Sequence, residues 1–389
     1  MTLNHFTPSQ DPAEGLGVLM LFRLVEEAVP AFFRADRRLC IVRAPGRLDV
    51  LGDGQHGGPT LQLATAEACC AAVQARDDDL VRLWSPSRDG SRSQLLSMRL
   101  GDLGVPGPGL DDAEARALLT RAADDRWAAL VLGGLRLLVQ RRGLQRAAGC
   151  ELLLHSDVPE GRGAGASTAI ATAALRALAR HFVVELAVDE VATIVAAVER
   201  DLLGQPTCPA DAVVACVAVA GELLLTEGNG AARSLVLPSD LEFVALDSGP
   251  RQPVAAPGPL AHEPERVARC LELLAAAPSP AARHDLGDLL FASHEALVAA
   301  GRSSPNADFV VAAARQRRAA GGAVFGARLS GRGGGGAVVL CGEQTKVWYE
   351  ALRIKKALHA ATGHSAHVFR WSSPGAFVFG SIDLLPNAR

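Results

Sequence analysis

A glycine-dense segment between a short apolar run and a long helical pattern constrains this chain more than any other feature. Residues 156–168 read SDVPEGRGAGAST. Residues 150–155 before them read as a strand, and 167–180 after them carry apolar residues at helical spacing. A strand that turns at once into a helix implies an α/β arrangement with the turn at a sheet end. Glycine there permits positive φ and lets N–H groups face inward, and a helix N-terminus adds partial positive charge. Two readings stay open: an anion cradle suited to a polyphosphate, or a tight turn in which Ser167 or Thr168 caps the helix. It is not a Walker A loop, because no Lys follows the last glycine. Nor is it a dinucleotide fingerprint, since its glycines run G-x-G-x-G.

Two further glycine-rich segments accompany it. Residues 326–336 (GARLSGRGGGG) lie between apolar strand patterns, and so many glycines there argue for close approach of another group. Residues 44–58 (APGRLDVLGDGQHGG) place Arg47 and several polar groups on a turn-rich stretch after a short strand at 38–42. Three such elements with an arginine and several carboxylates fit phosphoryl transfer better than metal-dependent hydrolysis or hydride transfer.

The intervening pattern alternates strands and helices. Helices are expected at 16–33, 127–141, 167–180, 188–203, 265–300, 306–319 and 344–361. Strands are expected at 71–74, 81–84, 150–155, 222–226, 243–247, on both sides of the glycines at 324–340, and at 376–384. Residues 85–109 read as a variable loop with at most a short strand, and 229–238 as the domain boundary. A length of 389 residues exceeds what one core usually organises, so two packed domains, 1–228 and 229–389, are expected.

Composition narrows the partners. Thirty-nine Lys+Arg against 42 Asp+Glu give a net charge of -3, which points to neither nucleic acid nor an acidic membrane surface. No apolar run is long enough for a transmembrane helix, and no secretory leader is read at the N-terminus. The eight cysteines form neither C-x-x-C pairs nor Cys/His metal spacing, so buried, reduced thiols and a cytoplasmic location are expected.

The three glycine-rich segments, in this order and spacing, resemble the signature motifs of the GHMP kinases, from about residue 38 to the C-terminus. Within that superfamily the chain looks most like sugar kinases, particularly L-arabinokinases. The resemblance is carried by 44–50 (APGRLDV), Leu61-Gln62, Glu67-Ala68-Cys69, Val158-Pro159-Glu160-Gly161, 360–363 (AATG) and 372–376 (SSPGA). It implies an α/β (α+β) fold with a ribosomal-protein-S5-like N-terminal domain and a ferredoxin-like C-terminal domain, and a site between them. It further implies ATP and Mg²⁺, and a small-molecule sugar or sugar phosphate acted on by a monomer or homodimer.

Site roles follow from the resemblance residue by residue. Gly204, Pro206 and Asp211 match the family's G-x-P-C-G-x-M-D-Q segment, which makes Asp211 the candidate general base. An Asp that merely caps a buried helix is the structural alternative. Arg47 matches the arginine that pairs with that Asp and neutralises the transferred phosphoryl group, and Glu199 the Mg²⁺-binding Glu. Trp127 would lie near the adenine. Pro159, Gly161, Arg162, Gly163, Ala164, Gly165, Ala166, Ser167 and Thr168 would cradle the nucleotide, together with Gly333, Gly334 and Gly335 of the C-terminal loop.

The departures set the expected substrate. The family's metal-binding Ser is Ala166 here, so either Ser167 or Thr168 substitutes beside Glu199 or the metal relies on Glu199 and the phosphates. The family's sugar-contacting Asp-Tyr pair is missing and the Gln after the base is Ala212; Asp53, His56, Cys208 and Arg251 are the substrate-binding candidates. The expected activity is phosphorylation of the anomeric hydroxyl of a sugar other than galactose or arabinose. A heptose or octose phosphate of nucleotide-sugar or antibiotic biosynthesis would suit the basic candidates. The alternatives are a catalytically weak sugar- and nucleotide-binding regulator, a true L-arabinokinase or galactokinase, and a homoserine or mevalonate kinase. The sugar-type 204–211 segment disfavours the last of these.

Overall fold

The computed structural model describes residues 3–9, 16–86, 93–105, 107, 109–144, 148–205, 207–228, 230–252, 254 and 258–387. Strands β1 (Phe6–Pro8), β2 (Leu39–Gly52), β3 (Thr60–Ala75), β4 (Leu80–Trp84), β5 (Leu95–Arg99), β6 (Cys150–Ser156), β7 (Glu222–Thr226) and β8 (Ala232–Val236) come first. β9 (Leu241–Asp247), β10 (Val324–Leu329), β11 (Ala337–Glu343), β12 (Val368–Phe369) and β13 (Ile382–Pro386) follow. Among the described residues one sheet runs β1-β13-β2-β3-β6-β4-β5, with the β7-β8 hairpin on the first residues of β3. The other runs β10-β11-β9-β12.

The helices are α1 (Leu16–Glu27), α2 (Asp112–Leu119), α3 (Ala129–Arg142), α4 (Ala166–His181), α5 (Val188–Ala197) and α6 (Pro209–Val217). Then come α7 (Glu263–Ala275), α8 (Pro280–Ala299), α9 (Pro305–Ala319), α10 (Lys346–Thr362) and α11 (Ala376–Phe379). None is long and apolar enough to cross a membrane.

Both faces of the first sheet are covered, which is why its strands read as continuous apolar runs. Cys40 and Val42 of β2 and Cys69, Ala71 and Val73 of β3 face the core under α4. Leu39, Ile41, Cys70 and Ala72 face the opposite core, filled by Val18, Leu21, Phe22 and Val25 of α1. The neighbouring Cys69 and Cys70 therefore point to opposite faces, and all eight cysteines are buried and unbridged. In the second sheet Val244, Leu246, Val338 and Leu340 pack with residues of α9 and α10. Phe243, Ala245, Ala337, Val339 and Cys341 join Val267 and Cys270 of α7 in the core that continues beneath the first sheet.

Residues 44–52 differ from the sequence expectation of a turn. β2 runs on through them and pairs with β3, with register shifts between Pro45 and Arg47 and between Asp49 and Leu51. Such bulges absorb a proline that cannot donate to the ladder and re-aim the side chains beside it, here Arg47 and Asp49. Residues 232–236 of the 229–238 stretch form β8, paired with β7; Asn229 lies outside the described residues. The single strand expected at 376–384 is a short helix followed by β13, which pairs with β2 and returns the C-terminus to the first sheet.

Candidate active site

The site begins where β2 touches the glycine segment that precedes α4. Arg47 N donates to Ala164 O at 2.9 Å, and a Cβ on Gly46 would stand 2.5 Å from that same oxygen. Only glycine lets the strand and loop approach so closely. Gly161, Gly163 and Gly165 have φ of +70°, +71° and +77°, and Gly165 opens α4 in the left-handed region with no side-chain cap. The first turn of this sixteen-residue helix therefore has no side-chain cap from Ser167 or Thr168, and Ala166, Ser167 and Thr168 line the cavity.

Asp211 sits in the first turn of α6 but does not cap it. Its Oδ2 accepts from Arg47 Nη2 at 2.5 Å and Arg332 Nη2 at 3.1 Å, and its Oδ1 from Gln62 Nε2 at 2.9 Å. Gln62 Nε2 also donates to Asp49 Oδ1 at 2.7 Å, and Arg47 Nη1 donates to Gly163 O at 3.1 Å. Asp211 is 2% exposed, so burial alone would raise its pKa; the charges of Arg47 and Arg332, with bonds from Arg47 and Gln62, hold it at about 2. Burial works against the Arg47 guanidinium, but Asp211 and Asp49 raise its pKa above the ordinary arginine value.

Glu199 reaches the same space from a π-helical turn, Val198–Leu202, that continues α5; such turns commonly mark functional positions. Its Oε1 accepts from Thr168 Oγ1 at 3.1 Å, and its Oε2 lies 3.9 Å from Arg332 Nη2. Burial raises its pKa against the opposing pull of Arg332. Among the described residues no group of three or more His, Cys, Asp or Glu gathers to hold a metal by itself.

These groups wall a cavity of about 700 Å³. The first lobe, meaning the elements built on the first sheet, contributes Arg47, Trp127, Pro159, Gly161, Gly163, Gly165, Ala166, Ser167, Thr168, Glu199 and Asp211; the second, built on the β10-β11-β9-β12 sheet, contributes Arg251, Gly331 and Arg332. Arg162 and Ala164 do not line it. Arg162 turns toward Asp247 at 3.5 Å and Ala164 is buried. Trp127 donates from Nε1 to Ser93 Oγ at 3.2 Å while lining the wall.

The expected substrate set divides. Arg251 lines the cavity, its N bonded to Gly161 O at 2.9 Å and its Nε to Gly333 O at 3.0 Å. Asp53 and His56 do not line it: Asp53 Oδ2 takes His56 Nδ1 at 2.9 Å, Leu260 N at 2.9 Å and Arg302 Nη1 at 3.1 Å. Arg302, 1% exposed, makes this a buried cross-lobe ion pair. Cys208 backs the Gly54 turn, and burial, then the nearby Asp211 and Asp49 charges, keep its thiol protonated. Pro206 lies outside the described residues.

Gly333, Gly334 and Gly335 lie behind the cavity wall. A Cβ on Gly333 would stand 2.4 Å from Arg302 O, and one on Gly334 2.1 Å from Gln252 O. The group that approaches this loop is the protein's own backbone. Sequence reasoning passed over the roles of Gln62, Asp49, Arg302 and Arg332. The signal for Arg332 was a lone long side chain inside a glycine run.

Residues 129–219 match the family described as GHMP kinases N terminal domain. The chain is 26% identical over 254 residues to an L-arabinokinase of Arabidopsis thaliana, covering 59% of this chain and 24% of that protein. It is 26% identical over 219 residues to a galactokinase of Chloroflexus aggregans, covering 55% of this chain and 50% of that one. The chain thus spans half or less of the length of these relatives. A galactokinase of Lactococcus lactis complexed with galactose superposes with a TM-score of 0.70 at 17% identity, over 92% of this chain and 99% of that one. The fold is shared with solved structures of a galactokinase and a mevalonate kinase. The chain is thus similar in fold to the GHMP kinases, and residues 129–219 match their N-terminal domain.

Proposed function

We propose that this chain is an ATP-dependent sugar kinase that phosphorylates the anomeric hydroxyl of a sugar other than galactose, with heptose or octose phosphates as the leading class. The observation that carries this reading is the buried Asp211, gripped by Arg47 beside a glycine loop whose helix N-terminus faces the same cavity. Asp211 accepts the hydroxyl proton, the hydroxyl oxygen bonds to the terminal phosphorus, and the bond to the bridging oxygen breaks to release ADP. A carboxylate held at about 2 takes the proton late, so Asp211 acts chiefly by orienting the hydroxyl while Arg47 neutralises charge on the transferred group. The amides of 161–168 hold the phosphates.

Glu199 with the hydroxyl of Thr168 or Ser167 is a donor set that fits Mg²⁺, which takes one or two protein oxygens and completes its shell with phosphate and water. The metal would supply further neutralisation of phosphate charge. The division at 228/229, with β13 returned to the first lobe, and a cytoplasmic location belong to the same reading.

The substrate class is supported by the cavity's cations. Arg126 and Arg251 line it beyond Arg47 and Arg332, which stand at Asp211, whereas His56 is turned to Asp53. Clustered guanidinium groups favour an acceptor that carries its own negative charge. A nucleotide- and sugar-binding regulator is the second reading, favoured by Ala166 in place of the family's hydroxyl. An ADP-release screen over free sugars and sugar phosphates, with ³¹P NMR of the product, separates them. Turnover of a sugar phosphate at least roughly tenfold above galactose and L-arabinose in kcat/KM supports the proposal. Efficient turnover of a free sugar with no gain from a phosphate refutes the substrate class, and nucleotide binding without turnover of any sugar favours the regulator.

A further inference from the structure

Arg332 enters the cavity from the second lobe, on the turn between β10 and β11. The turn is pinned on both sides: Ser330 N donates to Ala337 O at 2.8 Å and Gly334 N to Arg302 O at 2.7 Å. Gly331 and Gly333 flank the arginine with φ of +76° and +93°, so one long side chain projects from a loop otherwise stripped of them. Its Nη2 stands 3.1 Å from Asp211 Oδ2 and 3.9 Å from Glu199 Oε2. A single guanidinium thus spans the two carboxylates that phosphoryl transfer needs for separate tasks.

Both Asp211 oxygens keep a hydrogen-bond partner without this contact. Arg47 already serves Oδ2 and Gln62 serves Oδ1. Two cations converge on one oxygen while a third stands near: burial, then the charges of Arg332 and Arg47, lower the Arg251 guanidinium to about 10. Crowded like charges along one wall are relieved by an incoming polyanion, which offers several acceptor oxygens where Arg47 and Arg332 now share one carboxylate oxygen.

We propose that Arg332 is a phosphate-binding residue whose guanidinium leaves Asp211 and Glu199 and closes on the terminal phosphate as the nucleotide enters. The move frees Asp211 for the substrate hydroxyl and Glu199 for the metal. It also accounts for Ala166, because positive charge from the second lobe takes over part of the neutralisation that a metal-holding hydroxyl would support. This inference rests on the kinase reading above.

The test needs no knowledge of the sugar. Dissociation constants for ADP and for a β,γ-imido ATP analogue, both with Mg²⁺, are measured calorimetrically on the full chain, on Arg332→Ala and on Arg332→Lys. Arg332→Ala is expected to weaken the analogue by roughly tenfold or more and ADP by less than about twofold, because only the analogue carries the terminal phosphate. Arg332→Lys, which keeps the charge but loses the fork, should fall between. Should the alanine variant fail to fold, the lysine variant carries the same comparison: a loss confined to the analogue supports the proposal. Equal weakening of both nucleotides, or none, overturns it. A wild-type chain that binds neither nucleotide refutes the kinase reading itself, which keeps the two failures apart.

Discussion

Asp211→Asn separates what the carboxylate does for the reaction from what it does for the fold. An asparagine keeps the volume but offers one acceptor and one donor. With its carbonyl toward Arg47 and Arg332, its amide nitrogen faces Gln62 Nε2, itself a donor that already serves Asp49 Oδ1. At least one buried hydrogen bond is lost, worth about 1–3 kcal/mol. Arg47, 5% exposed, loses its nearest full counter-charge, and a buried pair stripped of one partner costs up to about 3–5 kcal/mol. Because the isostere still accepts from the arginines, we expect a stability loss of about 2–4 kcal/mol. Turnover should fall roughly 10²–10⁴-fold, while the dissociation constant for ADP stays nearly unchanged.

The stability difference also has a pH signature. The pKa of Asp211 is held at about 2, below its unfolded value, so its stabilisation is complete above that unfolded value and disappears as pH falls through about 2. Wild-type and variant melting points should therefore converge as the solution is acidified from about pH 4 to 2. Glu199, raised first by burial and also by the nearby Asp211 charge, loses that second push in the variant, which offsets part of the loss where Glu199 is ionised. ADP-release kinetics and thermal denaturation across pH are the assays. A variant that retains more than about a third of the wild-type rate would falsify the assignment of Asp211 as the base. A melting difference that stays constant down to pH 2 refutes the electrostatic account of its burial.

Three further outcomes are expected. Gly334→Ala, with φ of +81° and a Cβ 2.1 Å from Gln252 O, should destabilise the chain far more than Gly161→Ala, whose φ is +70° but whose Cβ meets open space. The open site should cost only about 1–2 kcal/mol by chemical denaturation, and equal losses would refute the close-approach argument. Arg302→Ala strands Asp53 in the cross-lobe contact and should cost about 3–5 kcal/mol; additivity with Asp53→Ala in a double-mutant cycle would show that the pair is not coupled. Thr168→Val removes the hydroxyl that meets Glu199 and should raise the Mg²⁺ concentration needed for half-maximal rate by several-fold, more than Ser167→Ala does; the reverse order would assign the metal to Ser167.

The chain's local pattern determined the elements whose signal is short-range. The glycine segment at 161–165, the helix that follows it and the apolar strand before it were legible, because positive-φ backbone and amphipathic spacing are written in consecutive residues. Arg47, Glu199 and Asp211 were legible as motif positions. Their convergence was not, since it depends on bulges in β2, a π-helical turn after α5 and the N-terminus of α6 meeting across the fold. Tertiary structure alone decided that 44–52 is strand rather than turn, because pairing with β3 overrides the local preference of proline and glycine. It decided too that Gly333 to Gly335 pack against Arg302 and Gln252 backbone, leaving the neighbouring Arg332 to enter the cavity. His56 and Asp53 were drawn out of the candidate substrate set for the same reason: a buried Arg302, distant in sequence and adjacent in space, claims the carboxylate first. A charge buried by the fold must be paired within it, and the identity of that partner is a property of the packed molecule rather than of any segment.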